Sequence, residues 1–309
     1  VDSGKHVPPL MKHRVFLVLG CLLLATGSLF GPAVGVSRAQ EIPEDLLEDE
    51  HVREEFGVNS FTTPSIRKIF EDLDRLRPLP YEKLKRDVPK GTPKDRTKLA
   101  LTLGGLIADG FLVVESEKLL DLEQVGRALW KHAQVLGAGT RLSRHTKSLL
   151  EHSALGEWGA LKGELAKTQK DVEAEMVLLR DVDAAHLISL GGWLRAFQIA
   201  CVASLEDYQP EKTQVLARHD IVDYFFQSLQ TLEPSVQELQ HVQQLAAGLE
   251  QLGVMLDVPE TKTFTQAEVL AMQAKIEELI AVVDPNAVST PAPAPASAPV
   301  ASQPGVAEN

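Results

Sequence analysis

The residues with the clearest chemical pattern lie between Glu123 and Glu151. The chain carries a formal net charge of −12, yet this stretch has no carboxylate and holds Arg127, Lys131, Arg141, Arg144 and Lys147 together with His132 and His145. Thr140 follows a Gly-Ala-Gly turn at 137–139, and helical spacing places Arg141, Arg144 and Ser148 on one face. Free backbone N–H groups at a helix start, the positive end of the helix dipole and a guanidinium fork are the parts of a phosphate or carboxylate site. Thr140, Arg141, Arg144, His145 and Lys147 are therefore the candidate anion-binding residues. The competing reading is a solvated basic face, or a dock for the acidic residues 41–55 of the same chain.

A second pattern couples two charges to two glycine pairs. TLGGLIADGFLVVES from Thr102 and SLGGWLRAFQIACVAS from Ser189 share an LGG. Twin glycines weaken a helix by about 1 kcal/mol each relative to Ala, a loss tolerated where another helix must come close. Asp109 lies about one turn beyond Gly104, and Arg195 about one turn beyond Gly191. Burying either charge alone costs several kcal/mol. The two helices are thus expected to pack together with Asp109 and Arg195 paired, or both solvated at a cleft.

Other catalytic signatures are missing. The sequence has no GxSxG elbow, P-loop, CxxCH or HExxH motif. GAGTRL at 137–142 follows a helical pattern rather than a strand and lacks the third glycine of a dinucleotide fingerprint. Glu48 with His51, and Glu238 with His241, have the i, i+3 spacing of carboxylate-bridged di-iron bundles, but no additional inward-facing glutamates complete a set. No metal, no cofactor and no enzymatic activity are expected. His219 falls on the stripe of Val215, Val222 and Phe226, where a histidine is usually a satisfied core-edge residue. Trp130, Trp158 and Trp193 read as core. Cys201 sits in the apolar IACVAS with no nearby base to activate it, so it reads as a small hydrophobe.

The elements that must position these residues are all helical. From Asp95 to Val283 apolar residues recur at three- and four-residue steps, with no alternating β-branched run, so the fold class is all-α: a multi-helix bundle of amphipathic antiparallel helices. Helices are expected over 95–114, 120–136, 156–180, 184–205 and 265–283. Thr140 should cap another helix, and two more should follow the first-turn prolines Pro210 and Pro234. Ahead of them, 67–98 holds eleven basic against six acidic residues and is interrupted by Pro78, Pro80, Pro89 and Pro93. Prolines so dense limit it to one helix near 65–76 and a turn around Tyr81 to Arg86.

Four segments follow. Residues 1–39 read as a signal peptide, with an extension ahead of Met11, Lys12 and Arg14 before an apolar run from Val15 to Phe30, and Ser37 and Ala39 as the small cleavage-site residues. Residues 40–94 form a charged, Pro-interrupted segment, 95–284 the helical-bundle domain, and 285–309 a disordered Pro/Ala-rich tail. Four of the 31 basic residues but one of the 43 acidic residues precede Gln40, which leaves the remainder near −15. Such a charge argues against nucleic-acid binding. The expectation is an exported, periplasmic or extracellular, non-enzymatic module with a protein partner or self-association. It meets a membrane only through the N-terminal segment if that segment is not cleaved. The alternative is a periplasmic bundle that holds a small anion, or less favourably haem or metal.

Overall fold

The computed structural model describes residues 70–284 apart from Asp72 and Arg180. The signal segment and the Pro/Ala tail lie outside the described residues. Within the described span the chain is all-α, with ten α-helices and two 3-10 turns and no strand. A 3-10 turn at Asp74–Leu76 and the short α1 (Tyr81–Leu84) precede five long helices. These are α2 (Arg96–Glu115), α3 (Leu119–Leu136), α4 (Gly139–Leu155), α5 (Trp158–Leu178) and α6 (Val182–Glu206). A second 3-10 turn at Pro210–Leu216 leads to α7 (His219–Gln230), α8 (Pro234–Gln237), α9 (Gln240–Leu256) and α10 (Gln266–Val283).

Local chemistry sets the helix ends. Asp95 accepts from the Lys98 N–H to start α2, and Asp181 accepts from the Ala184 N–H to start α6. Thr265 and Glu268 form a reciprocal capping box on α10. Gly137, at φ 110°, and Gly156, at φ 68°, end α3 and α4 in the left-handed conformation that only glycine adopts without cost. Thr140 is not a cap: α4 begins at Gly139 after Ala138, so Thr140 is already inside the first turn. The glycine pair permits the chain to turn and re-enter a helix without a polar capping side chain.

α2 and α6 are apolar on every side, and almost every residue from Leu99 to Val114 and from Ala184 to Cys201 is buried. By length and composition both could cross a membrane, and both lie almost wholly inside the bundle. They pack on each other more extensively than any other pair of helices, with α3 and α5 against α2, and α10 against α6. A Cβ at Gly104 would overlap the Ile188 carbonyl, and one at Gly191 would overlap the Leu101 carbonyl. The two backbones therefore touch directly. Leu101 meets Gly191 and Asp109 meets Arg195, so contacts advance in the same direction along both helices, and the central pair runs parallel. That corrects the antiparallel expectation for this pair. Consecutive helices do reverse, as Trp130 against Ser143 and His145 against Glu164 illustrate. Four reversals between α2 and α6 restore the original direction.

Three further expectations change. The core does not begin at residue 95: Phe70, Leu73, Leu76, Tyr81 and Leu84 join the same cluster as α2 and α6. Proline density prevents long helices there, but it does not prevent an extended segment from burying side chains. The stripe after Pro210 is broken at Ala217 and Arg218, which leaves His219 exposed at the start of α7. Trp130 is 39% exposed rather than core, whereas Trp193 is 2% exposed.

The glycine contact predicts a sharp asymmetry. Gly104→Ala and Gly191→Ala should each destabilise the fold by about 3 kcal/mol or more, because rigid backbone must move. Gly163→Ala, at an exposed position in α5 with nothing within 4 Å of the added methyl, should instead stabilise by about 0.5–1 kcal/mol. Urea unfolding of the three variants checks both directions.

Candidate functional site

Charge is concentrated where α2, α6 and the Pro-interrupted segment meet. α2 carries Asp109 on its buried length and α6 carries Arg195; the structure brings them together, with Arg195 Nε donating to Asp109 Oδ1 at 2.8 Å. A third residue, Arg86, follows α1 and donates from Nε to Asp109 Oδ2 at 2.7 Å, with Nη2 also 2.7 Å away. The three side chains are 9%, 3% and 12% exposed for Asp109, Arg195 and Arg86. One carboxylate thus holds two guanidiniums in the core, and the buried cluster bears a net positive charge. Arg195 also donates from Nη1 to Gln198 Oε1 at 2.6 Å and from Nη2 to the Leu84 carbonyl. Burial works to raise the Asp109 carboxyl, but the Arg86 and Arg195 charges overcome it and hold the group below the usual carboxylate range.

The network continues outward through Asp121 on α3. Tyr81 donates its hydroxyl to Asp121 Oδ2 at 2.8 Å, and Lys85 Nζ donates to Oδ1 at 2.9 Å. Burial, followed by the Asp121 carboxylate, raises the Tyr81 hydroxyl above its ordinary value, so it remains a neutral donor. Sequence reasoning reached Asp109 and Arg195 but missed Arg86, Tyr81, Lys85, Asp121 and Gln198. A signal was present: the basic excess of 67–98 coincides with two apolar i, i+3 pairs, Leu76 with Leu79 and Tyr81 with Leu84, inside a segment too proline-rich for a surface helix.

The 140–147 candidates divide differently. The side chains of Thr140, Arg141, Arg144 and Lys147 lie outside the described residues. His145 is described, and it does not face an anion: Nδ1 is 2.7 Å from Glu164 Oε1 and Nε2 is 2.9 Å from Asp171 Oδ2. Burial opposes ionisation of Glu164, but the hydrogen bond from His145 prevails and lowers its pKa. His145 therefore joins α4 to α5. Within the basic run His145 is met by carboxylates of the next helix, and Arg127 pairs with Glu123 on its own helix.

Three further titratable groups, His132, His241 and Cys201, are taken up by packing. His132 is fully buried, with Nδ1 2.7 Å from the Ala128 carbonyl and Nε2 unpartnered. His241 contacts Thr97 Oγ1 and lies near Asp95, not beside Glu238, because α8 ends and the chain breaks before α9. Cys201 is buried, and burial raises its thiol well above the ordinary range. Among the described residues no group of three or more His, Cys, Asp or Glu is placed to hold a metal ion. Comparison with protein-family models, with curated proteins and with solved structures returns no match for this chain.

Two measurements test the site. Asp109→Asn should cost about 3–5 kcal/mol, because it leaves two buried guanidiniums without their counter-charge. In a double-mutant cycle Asp109→Asn and Arg195→Gln should couple by more than about 1 kcal/mol, and additive effects would show that the pair carries no interaction. The pH dependence has a definite sign. Burial depresses His132, His186 and His241 below the ordinary imidazole value. Between their folded values and about 6.5 the unfolded chain holds more protons than the native one, so stability rises with pH there. Urea unfolding should give lower stability at pH 5.5 than at pH 7.5, with a smaller difference in His132→Gln.

Proposed function

We propose that this chain is a non-enzymatic, exported helical protein whose role is structural or protein-binding. The observation that carries the reading is how the buried polar groups are used. Both oxygens of Asp109 are occupied by Arg86 and Arg195, and both ring nitrogens of His145 by Glu164 and Asp171. Acid–base or nucleophilic catalysis needs a side chain free to meet a substrate at hydrogen-bond distance. These side chains instead tie one helix to another.

Apolar side chains on the outside favour a protein partner or a second copy of the chain. Val135 near the end of α3 is 54% exposed and Leu179 past the end of α5 is 49% exposed. They flank Gly137, against whose α-carbon face Leu179 packs. Each such side chain gains the hydrophobic contribution of removing its apolar surface from water when a partner covers it. The acidic remainder after Gln40 disfavours nucleic acid as that partner. Export rests on the signal pattern before Gln40. An anion site at 140–147 gains nothing from His145, whose ring is committed elsewhere.

Native mass spectrometry of the protein recovered from its own cells tests the reading. The expected result is a chain beginning at or near Gln40, in a stoichiometric homo- or hetero-complex that Val135→Glu with Leu179→Glu dissociates while Tm stays within about 2 °C of wild type, since surface substitutions usually change stability little. A monomer of wild-type protein, or a complex indifferent to the double substitution, overturns the partner surface. An N-terminus still carrying Val15 to Phe30 overturns cleavage.

A further inference from the structure

A cavity of about 30 Å³ lies where α2, α6 and the end of α10 meet the segment after α1. It is a different face of the buried charge cluster from the one that Asp109 occupies. Arg86 and Arg195 both line it, and its apolar wall is made by Leu101, Leu194 and Ile280. Gly105 and Gly191 also line it. A methyl group added at Gly105 would come within 2.9 Å of Arg86 Nη2, so the guanidinium occupies the space that the glycine leaves open.

Thr102 provides an independent pointer. It lines the same cavity, is 8% exposed, and its hydroxyl has no hydrogen-bond partner. A helical hydroxyl ordinarily returns to the carbonyl four residues back, as Thr168 does to Glu164 and Ser228 to Tyr224. An unsatisfied buried hydroxyl is costly. Here it stands beside two cations that share one carboxylate.

We propose that this cavity is a binding site for a small monovalent anion of chloride size, held by Arg86, Arg195 and the Thr102 hydroxyl. Charge and volume define the ligand together. Within the buried cluster of Arg86, Arg195 and Asp109, two guanidiniums against one carboxylate leave one positive charge, which a single negative charge balances. A cavity of about 30 Å³ has room for one or two water-sized species, which suits a halide better than sulfate or phosphate. Asp87, which is exposed, and Asp284, which is half-buried, also line the cavity; solvent screens them more than it screens the buried cluster, so they weaken the binding of any anion and most of all a multiply charged one. A chloride-sized ion needs donors rather than geometry, and guanidinium and hydroxyl N–H and O–H groups are donors.

Thermal unfolding of the full chain at fixed ionic strength tests the site, with chloride or bromide replacing gluconate, an anion too large to enter. A saturable rise in Tm of about 3 °C is expected in chloride and bromide, because a ligand that binds only the native state stabilises by mass action. Sulfate should give no saturable component, only the gradual rise common to excluded salts. Thr102→Val keeps the shape of the side chain and should reduce the halide-dependent rise at least twofold. Gly105→Ala pushes the Arg86 guanidinium out of the space beside Gly105 and should reduce the rise as well. Arg86→Gln should abolish the rise, and should that variant fail to fold, the Thr102 variant still decides. A Tm that is indifferent to halide, the mark of a water in the cavity, overturns the proposal, as does a full halide response in Thr102→Val.

Discussion

The Asp109 carboxylate is the constraint from which the rest of the arrangement follows. It sits on one of the two central buried helices, and its two oxygens receive guanidiniums from α6 and from the segment after α1. An uncompensated charge in such a place would cost more than most single contacts contribute. The three elements must therefore assemble together: α2 cannot bury Asp109 without Arg195, and Arg195 cannot be buried without the Leu84 carbonyl and Gln198 to take its other donors. Buried ion pairs often add little net stability compared with apolar side chains of the same volume. Their effect is to reject other registers, since sliding α6 by one turn would strand Arg195 away from its carboxylate.

The glycines make this geometry attainable. With Gly104 and Gly191 at the crossing, the α2 and α6 backbones meet without intervening side chains. Leucine, isoleucine and phenylalanine side chains then spread to both sides of the contact and face the surrounding helices. That is the physical reason why both helices are apolar all round and have no wet face. Their parallel direction follows from connectivity, because short turns reverse the chain at each of the four junctions between them. Four amphipathic reversals deliver α6 beside α2 pointing the same way.

The Pro-interrupted segment is the least expected participant. It is too broken for a long helix, yet it buries Leu76, Tyr81 and Leu84 and sends Arg86 to Asp109. Tyr81 and Lys85 then hold Asp121 on α3, so one short stretch touches α2, α3 and α6. Irregular backbone is suited to this role because successive side chains leave in different directions, whereas a helix presents one face to one neighbour. The same principle separates the two polar clusters: His145 joins only α4 and α5.

The sequence by itself determined the secondary structure and the identity of the central helices. Periodicity located α2, α3, α5, α6 and α10 to within a few residues, because a 3.6-residue repeat and a capping residue act over one or two turns. It also singled out Asp109 and Arg195, since a charge inside an apolar glycine-bearing helix demands a partner. Only the tertiary structure decided that the partner set includes Arg86, that α2 and α6 run parallel, and that His145 belongs to Glu164 and Asp171. Each of these rests on contacts between residues tens of positions apart, and local spacing carries no information about which of many arginines or glutamates will arrive. The apparent basic face at 123–151 is the clearest case: along the chain it has no acid, and in space α5 supplies carboxylates to His145 within it. Electrostatic balance is satisfied across the fold rather than along the sequence, because the Coulomb interaction depends on distance in space alone.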